Sequence, residues 1–356
     1  MKKAALLTFI CFISFATAFA NPDSTVLNIM KELNIPGLSY AVIKKGKVLQ
    51  KGHFGKANVE LDVPLTEQHV FPIFSTTKTF TSIASMKLVE EGKIKLEDKI
   101  SKYLTGLPTQ WQNITVYQLL TLTSGLPDVV VEQKPGYTMA WVTEDEKELI
   151  NSLSKLPMQF APGESWSYNQ TNLSLMGLII EKVTGVTYKD YVQKAILNPL
   201  NMKSATFGDV WQVVNNRVSN YGIKKDNSLM TWNTYHYPRF ALPNAGLNAG
   251  LDDMVKFCNG VTSNKILKEE NQRKVYTLAK LNNNKDNLLD EGVGFGMGWM
   301  VMNINGLKAY GMSGGASSGF LIFPEQQLSV VLLTNASGID VEGLIMRIAA
   351  PHLTVR

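Results

Sequence analysis

Toward both ends of the chain, apolar residues gather in short blocks set off by turn-forming residues, which is the pattern of strands. Residues 38–43 and 47–54, separated by Lys44-Lys45-Gly46, predict a strand hairpin. Residues 308–312, 319–323 and 328–333 predict three further strands, the last two joined through Pro324-Glu325-Gln326, and 341–350 predicts a helix after them. Between these ends the pattern is helical. From Phe80 the apolar residues Ile83, Ala84, Leu88 and Val89 recur at helical spacing, and Gly92 supplies a stop. Thr115 with Gln118 and Thr187 with Asp190 have the spacing of a capping box or its acidic variant, and Gly185 stands where a glycine ends a helix. A loop is expected at Leu242-Pro243-Asn244-Ala245-Gly246. The fold class predicted is α/β: an antiparallel sheet flanked by helices and built from both chain ends, about 21–85 and 245–356. A mostly helical subdomain is inserted at about 86–244.

The first twenty residues change the picture of where the chain works. Lys2 and Lys3, an apolar run over 4–19 and Ala18-Phe19-Ala20 have the pattern of a secretory signal peptide, 1–20, cleaved after Ala20. The run falls short of the ~20 residues a membrane span needs, so the mature chain is expected to carry no span and to be periplasmic or secreted. Of the two cysteines, Cys11 lies in this leader, which leaves Cys258 without an intramolecular partner. The 35 Lys+Arg against 30 Asp+Glu give a weak, dispersed positive charge that does not point to nucleic acid. With 45% hydrophobic and 18% charged residues the composition is that of an ordinary globular chain. The histidines, His53, His69, His236 and His352, are scattered without metal-ligand spacing, so no metal and no cofactor is expected. Composition leaves the oligomeric state open.

Candidate chemistry starts at Phe74-Ser75-Thr76-Thr77-Lys78. Ser75 lies at a helix start with Lys78 one turn on, so the hydroxyl and the ammonium project from one face. A buried lysine beside a serine can serve as its general base, and a helix N-terminus offers N–H groups to an oxyanion. Ser152 and Lys155 share the spacing but fall in a helix interior. Further on, Pro162-Gly163 leads to Trp166 and Tyr168 on a loop before a helix from about Thr171, where a phenol could relay the serine proton. A competing nucleophile is Ser313, in Gly311-Met312-Ser313-Gly314-Gly315, with Asp340 and His352 following in α/β-hydrolase order. That elbow needs a strand leading into a helix, whereas strands are predicted after it.

Taken together, these segments resemble the serine β-lactamase-like and penicillin-binding-protein family, which includes class C β-lactamases, serine DD-peptidases and related esterases. The likeness runs in order through Ile35-Pro36-Gly37-Leu38, the Ser75–Lys78 motif, Thr123-Ser124-Gly125-Leu126-Pro127, Pro162-Gly163 with Trp166 and Tyr168, Gly246-Leu247 with Asp253, Gly294-Phe295-Gly296-Met297-Gly298-Trp299, Gly314-Gly315 and Gly319-Phe320. The resemblance implies a β-lactamase/transpeptidase-like fold with its site where the sheet and helical subdomains meet. It implies Ser75 as nucleophile, Lys78 and Tyr168 as proton-transfer partners, and the N–H groups of Ser75 and Gly315 as oxyanion hole. Substrate contacts fall to Gln170, Met312, Ser313 and Gly314.

Two departures bear on substrate. The second motif of the family has Tyr-x-Asn, and here Gln170 holds the third place, with Asn169 expected to point away from the Tyr168 side. The third motif has Lys or His, one residue, then Gly; here it is Met312-Ser313-Gly314. His53-Phe54-Gly55 and Lys134-Pro135-Gly136 fit that pattern out of order and are read as structural. The expectation is an exported serine hydrolase acting through a Ser75 acyl-enzyme on a small-molecule or peptide ester or amide. Met312 counts against penicillin and D-Ala-D-Ala substrates. The altered motifs also leave a second class open, a catalytically impaired binding or assembly module.

Overall fold

The computed structural model describes residues 22–132, 137–139, 143–209, 211–232, 237–304 and 306–353. The leader at 1–20, Lys134-Pro135-Gly136 and His236 lie outside the described residues.

Helix α1 (Pro22–Leu33) precedes a hairpin of β1 (Gly37–Lys44) and β2 (Lys47–Asn58), with β3 (Val63–Pro64) beside it. The remaining strands of the main sheet come from the other end: β4 (Leu288–Asp290), β5 (Val293–Phe295), β6 (Met300–Ile304), β7 (Leu307–Gly314), β8 (Ser318–Phe323) and β9 (Leu328–Thr334). They form one antiparallel sheet in the order β4-β5-β6-β7-β8-β9-β1-β2-β3. The two chain ends meet where β1 pairs β9, from Leu38 opposite Thr334 to Lys44 opposite Leu328. Every residue of β9 is buried, which is why its sequence is an unbroken apolar run rather than an alternation.

Both faces of the sheet are covered. On β8 the side chain of Phe320 meets Phe257 of α6 (Leu251–Thr262), ring centroids 5.6 Å apart, and Phe257 stacks at 4.0 Å on Phe80 of α2 (Thr77–Glu90). The adjacent Gly319 faces the other way, toward Val341 of α7 (Val341–Ala349). Burying each such ring contributes about 1.5–3 kcal/mol, and stacked pairs add about 0.5–1.5 kcal/mol. Between sheet and helical region runs α2, buried from Thr77 through Met86, which fixes anything on its first turn.

The helical region holds α3 (Val116–Leu120), α4 (Glu146–Ser154) and α5 (Thr171–Thr184). Thr115 and Gln118 form a reciprocal capping box, and Gly185 closes α5 at φ +73°. Strands β2 and β7 run past their expected ends at 54 and 312, to Asn58 and Gly314. Residues Leu242–Ala245, expected as loop, make one helical turn with Pro243 near its start, and Leu247–Gly250 then pairs with Val70–Pro72. No helix among the described residues is long and apolar enough to cross a membrane.

Candidate active site

Ser75 sits in a 3₁₀ turn, Phe74–Thr76, that runs directly into α2. The turn is held from the sheet side, where Ile73 N–H donates to Leu247 O at 3.0 Å and Leu247 N–H to Thr77 Oγ1 at 3.3 Å. Phe74 adopts φ +45°, an uncommon conformation for a residue with a side chain. Its ring packs against Trp232, centroids 5.5 Å apart.

One turn along, Lys78 is 1% exposed, and its Nζ donates to Ser75 Oγ at 3.0 Å and to Asn244 O at 3.2 Å. The same Nζ lies 4.9 Å from the Tyr168 ring centre, a cation–π distance. The Tyr168 ring is tilted against Phe295 at 6.0 Å, as is Trp166 at 5.4 Å, and Trp166 Nε1 donates to Leu288 O at 3.0 Å. The structure therefore brings Ser75, Lys78 and Tyr168 together, with no hydrogen bond between Tyr168 and Ser75. In contrast Ser152 and Lys155 are exposed on and just past α4, so the second Ser-x-x-Lys match is a solvated helix surface.

The end of β7 closes the site from the sheet. A Cβ at Gly314 would lie 2.6 Å from Ser75 N, and one at Gly315 would strike the Phe74 ring at 2.4 Å. Gly315 also takes φ +60°, which suits glycine. Because strand side chains alternate, Met312 shares the Gly314 face and is buried at 5% exposure. Ser313 points to the opposite face, where its Oγ donates to Glu342 Oε1 at 2.5 Å on α7. Gly314 is followed by a turn and by β8, not by a helix, and Asp340 caps α7 by accepting from Gly343 N–H at 2.9 Å. The elbow geometry that would make Ser313 a nucleophile is absent.

Gln170 stands at the head of α5, its N–H donating to Asp128 Oδ1 at 3.0 Å. Asn169 is buried and donates through Nδ2 to Leu126 O at 2.7 Å. Sequence reasoning missed three contributors. Asn244 supplies the carbonyl that holds Lys78, and its Nδ2 donates to Ser174 Oγ at 3.0 Å. Glu342 faces Ser313, and Asp128 is a carboxyl lifted above its ordinary range by burial, with backbone N–H groups and the charge of Lys78 acting the other way. The one available signal was that Asp128 directly follows the Thr123–Pro127 motif.

The family model described as Beta-lactamase matches residues 23–351. Protein flp of Staphylococcus aureus (strain MW2) is 26% identical over 340 residues, covering 91% of this chain and 64% of that relative, so the chain spans under two thirds of its length. The octameric penicillin-binding protein homologue from Pyrococcus abyssi superposes with a TM-score of 0.77 at 28% identity, covering 92% of this chain and 76% of that one. EstCE1, described as a hydrolase with promiscuous acyltransferase activity, shares the fold, with a TM-score of 0.79 at 18% identity over 93% of this chain and 97% of its own. A match that spans both chain ends, joined to a serine and a lysine set one turn apart at the seam between sheet and helices, places this chain in the Beta-lactamase family of serine hydrolases and penicillin-binding relatives.

Proposed function

We propose that this chain is an exported serine hydrolase that forms an acyl-enzyme on Ser75. The observation that carries the reading is the buried Lys78 Nζ held 3.0 Å from Ser75 Oγ. In the acylation step Ser75 Oγ bonds to an ester or amide carbonyl carbon, its proton passes to Lys78 Nζ, and the carbonyl π pair becomes the oxyanion. The N–H groups of Ser75 and Gly315 receive that oxyanion. The proton then goes to the leaving group, with the Tyr168 phenol on the relay. Water or another acceptor releases the acyl group by the reverse sequence.

The substrate side follows from charge. Where family members carry a cation, Met312 presents a thioether. A carboxylate on the leaving side would meet no counter-ion at Met312, so neutral leaving groups are the fit. Aromatic side chains at Phe74, Trp166, Tyr168, Phe295 and Trp232 favour an apolar acyl part. Incubating the mature protein with a fluorophosphonate probe and p-nitrophenyl esters tests this. Labelling and turnover should both vanish in Ser75→Ala. Wild-type protein that neither labels nor turns over any ester would overturn the reading.

A further inference from the structure

We infer that Ser317 and Ser337 are positioning residues that aim the Gly315 N–H at the oxyanion, an inference that rests on the acyl-enzyme reading above. Among the described residues the Gly315 N–H has no hydrogen-bond partner. The carbonyls around it are, by contrast, all held. Gly314 O accepts from Ser317 N–H at 3.1 Å, from Ser317 Oγ at 3.3 Å and from Ser318 Oγ at 3.4 Å. Gly315 O accepts from Ser337 Oγ at 2.8 Å. Ala316 O accepts from Gly338 N–H and Ile339 N–H, both at 3.1 Å. Ser317 is fully buried, so its hydroxyl is committed to this turn rather than to water.

A trans peptide unit is planar, with its N–H opposed to its C=O. Drawing the Gly314 carbonyl toward Ser317 therefore turns the Gly315 N–H the other way. The next unit is pinned by Ser337, so neither side of Gly315 can rotate freely. Gly315 and Ala316 both adopt left-handed conformations, φ +60° and +47°, and for alanine that is uncommon. Such conformations persist where the surroundings over-determine them, and here the segment 337–339 does so. Ala336–Ser337 pairs in parallel with Tyr221 and Gly222, whose strand pairs in turn with Leu229–Thr231. That strand leads to Trp232, which packs on the Phe74 ring beside Ser75. One scaffold thus supports both segments that offer N–H groups to the oxyanion. Full negative charge on that oxygen arises only as Ser75 attacks, so donors aimed in advance raise turnover rather than affinity.

Ser337→Ala, alone and combined with Ser317→Ala, tests this on a neutral p-nitrophenyl ester and on its thiono analogue, in which sulfur replaces the carbonyl oxygen. Sulfur is the weaker acceptor and gains less from the same N–H groups. Ser337→Ala should lower ester kcat by roughly 10-fold and the double variant by roughly 100-fold, the lower end for outright loss of an oxyanion donor. KM should change by less than about threefold. The kcat/KM ratio of ester to thiono ester should fall along with kcat, because the loss lands on the oxygen substrate. A merely structural role would slow both substrates alike, so an unchanged ratio overturns the proposal even where kcat or Tm drops. A double variant that keeps more than half of wild-type kcat also overturns it. Should the double variant not fold, the ratio in Ser337→Ala decides. Failure of the underlying reading looks different, because wild-type protein would then show no Ser75-dependent fluorophosphonate labelling at all.

Discussion

Gly314→Ala tests whether the end of β7 and the nucleophile turn are a single construction. The added Cβ would stand 2.2 Å from Ile73 O, 2.6 Å from Ser75 N and 2.9 Å from Thr76 N. All three are backbone atoms, so no rotamer change relieves the clash. Opening the shortest contact to even 3.0 Å needs about 0.8 Å of separation between strand and turn. Neither side yields freely: Ile73 is bonded to Leu247, and Gly314 is paired with Ser318 of β8. Overpacking of this kind costs about 1–3 kcal/mol of stability. The displaced groups include the Ser75 N–H itself, and a misplacement of about 1 Å at reacting groups costs on the order of 10²-fold in rate, about 2.7 kcal/mol of barrier. Steady-state hydrolysis of a neutral p-nitrophenyl ester beside thermal melting measures both. The expectation is kcat/KM down by about 10²-fold with Tm lower by a few degrees. A Gly314→Ala protein with more than half of wild-type kcat/KM would show that the contact between β7 and Ser75 carries no function.

The charge argument predicts that Met312→Lys raises kcat/KM for a carboxylate-bearing phenyl ester relative to its neutral counterpart by about tenfold, or about 1.4 kcal/mol, between the ~1 kcal/mol of an ion pair in bulk water and the ~4 kcal/mol of one near a protein surface; an unchanged ratio between the two esters counts against it. Stability should fall on acidification below 6.5, because burial above all, with Lys51 near His53 and Lys44 near His352, lowers the pKa of both histidines in the folded state. The unfolded chain then binds more protons below 6.5, so this stability is complete above that pH and lost as pH drops toward the folded values. Melting curves from pH 5 to 8 should flatten in His53→Gln, and identical pH slopes would contradict the assignment. At position 74, Gly accepts φ +45° at little cost whereas Ala does not. Phe74→Gly should therefore be more stable to urea than Phe74→Ala by about 1 kcal/mol, and the reverse order would remove the case for strain at the nucleophile turn.

Much of this molecule is visible in the order of its residues, and the parts that are not share a cause. The β1–β2 hairpin, β8, β9 and α7 were expected within a few residues, since each is an apolar block bounded by Gly, Pro or a charged turn. Local chemistry likewise located the capping box at Thr115 and the close of α5 at Gly185. Ser75 with Lys78 could be singled out because helical spacing places them together before any tertiary contact forms. What escaped depends on distant segments meeting. The strands Leu288–Asp290 and Val293–Phe295 are short, sit at the sheet edge and contain Gly294. The direction of Ser313 followed only once β7 was known to run straight through Gly314 beside β8. Asn244 reaches Lys78 across 166 positions, and Asp128 reaches the head of α5 across 42. No periodicity records such pairs.

Lys78 explains why the site must sit at this seam. A lysine amine 1% exposed is unfavourable unless polar partners replace water. Its partners come from three separate pieces of chain: Ser75 Oγ from the 3₁₀ turn that leads into its own helix, Asn244 O from the turn before Leu247, and the face of Tyr168 from the loop before α5. None of the three pieces alone could keep the amine out of water. The helical region and the sheet have to close on α2 before Lys78 is supported, and that closure also presses Gly314 against Ser75 N. Packing between the two regions and the proposed proton transfer at Ser75 are therefore one constraint. A substitution that loosens the seam, even far from Ser75, should return water to Lys78 and lower turnover before it unfolds the chain.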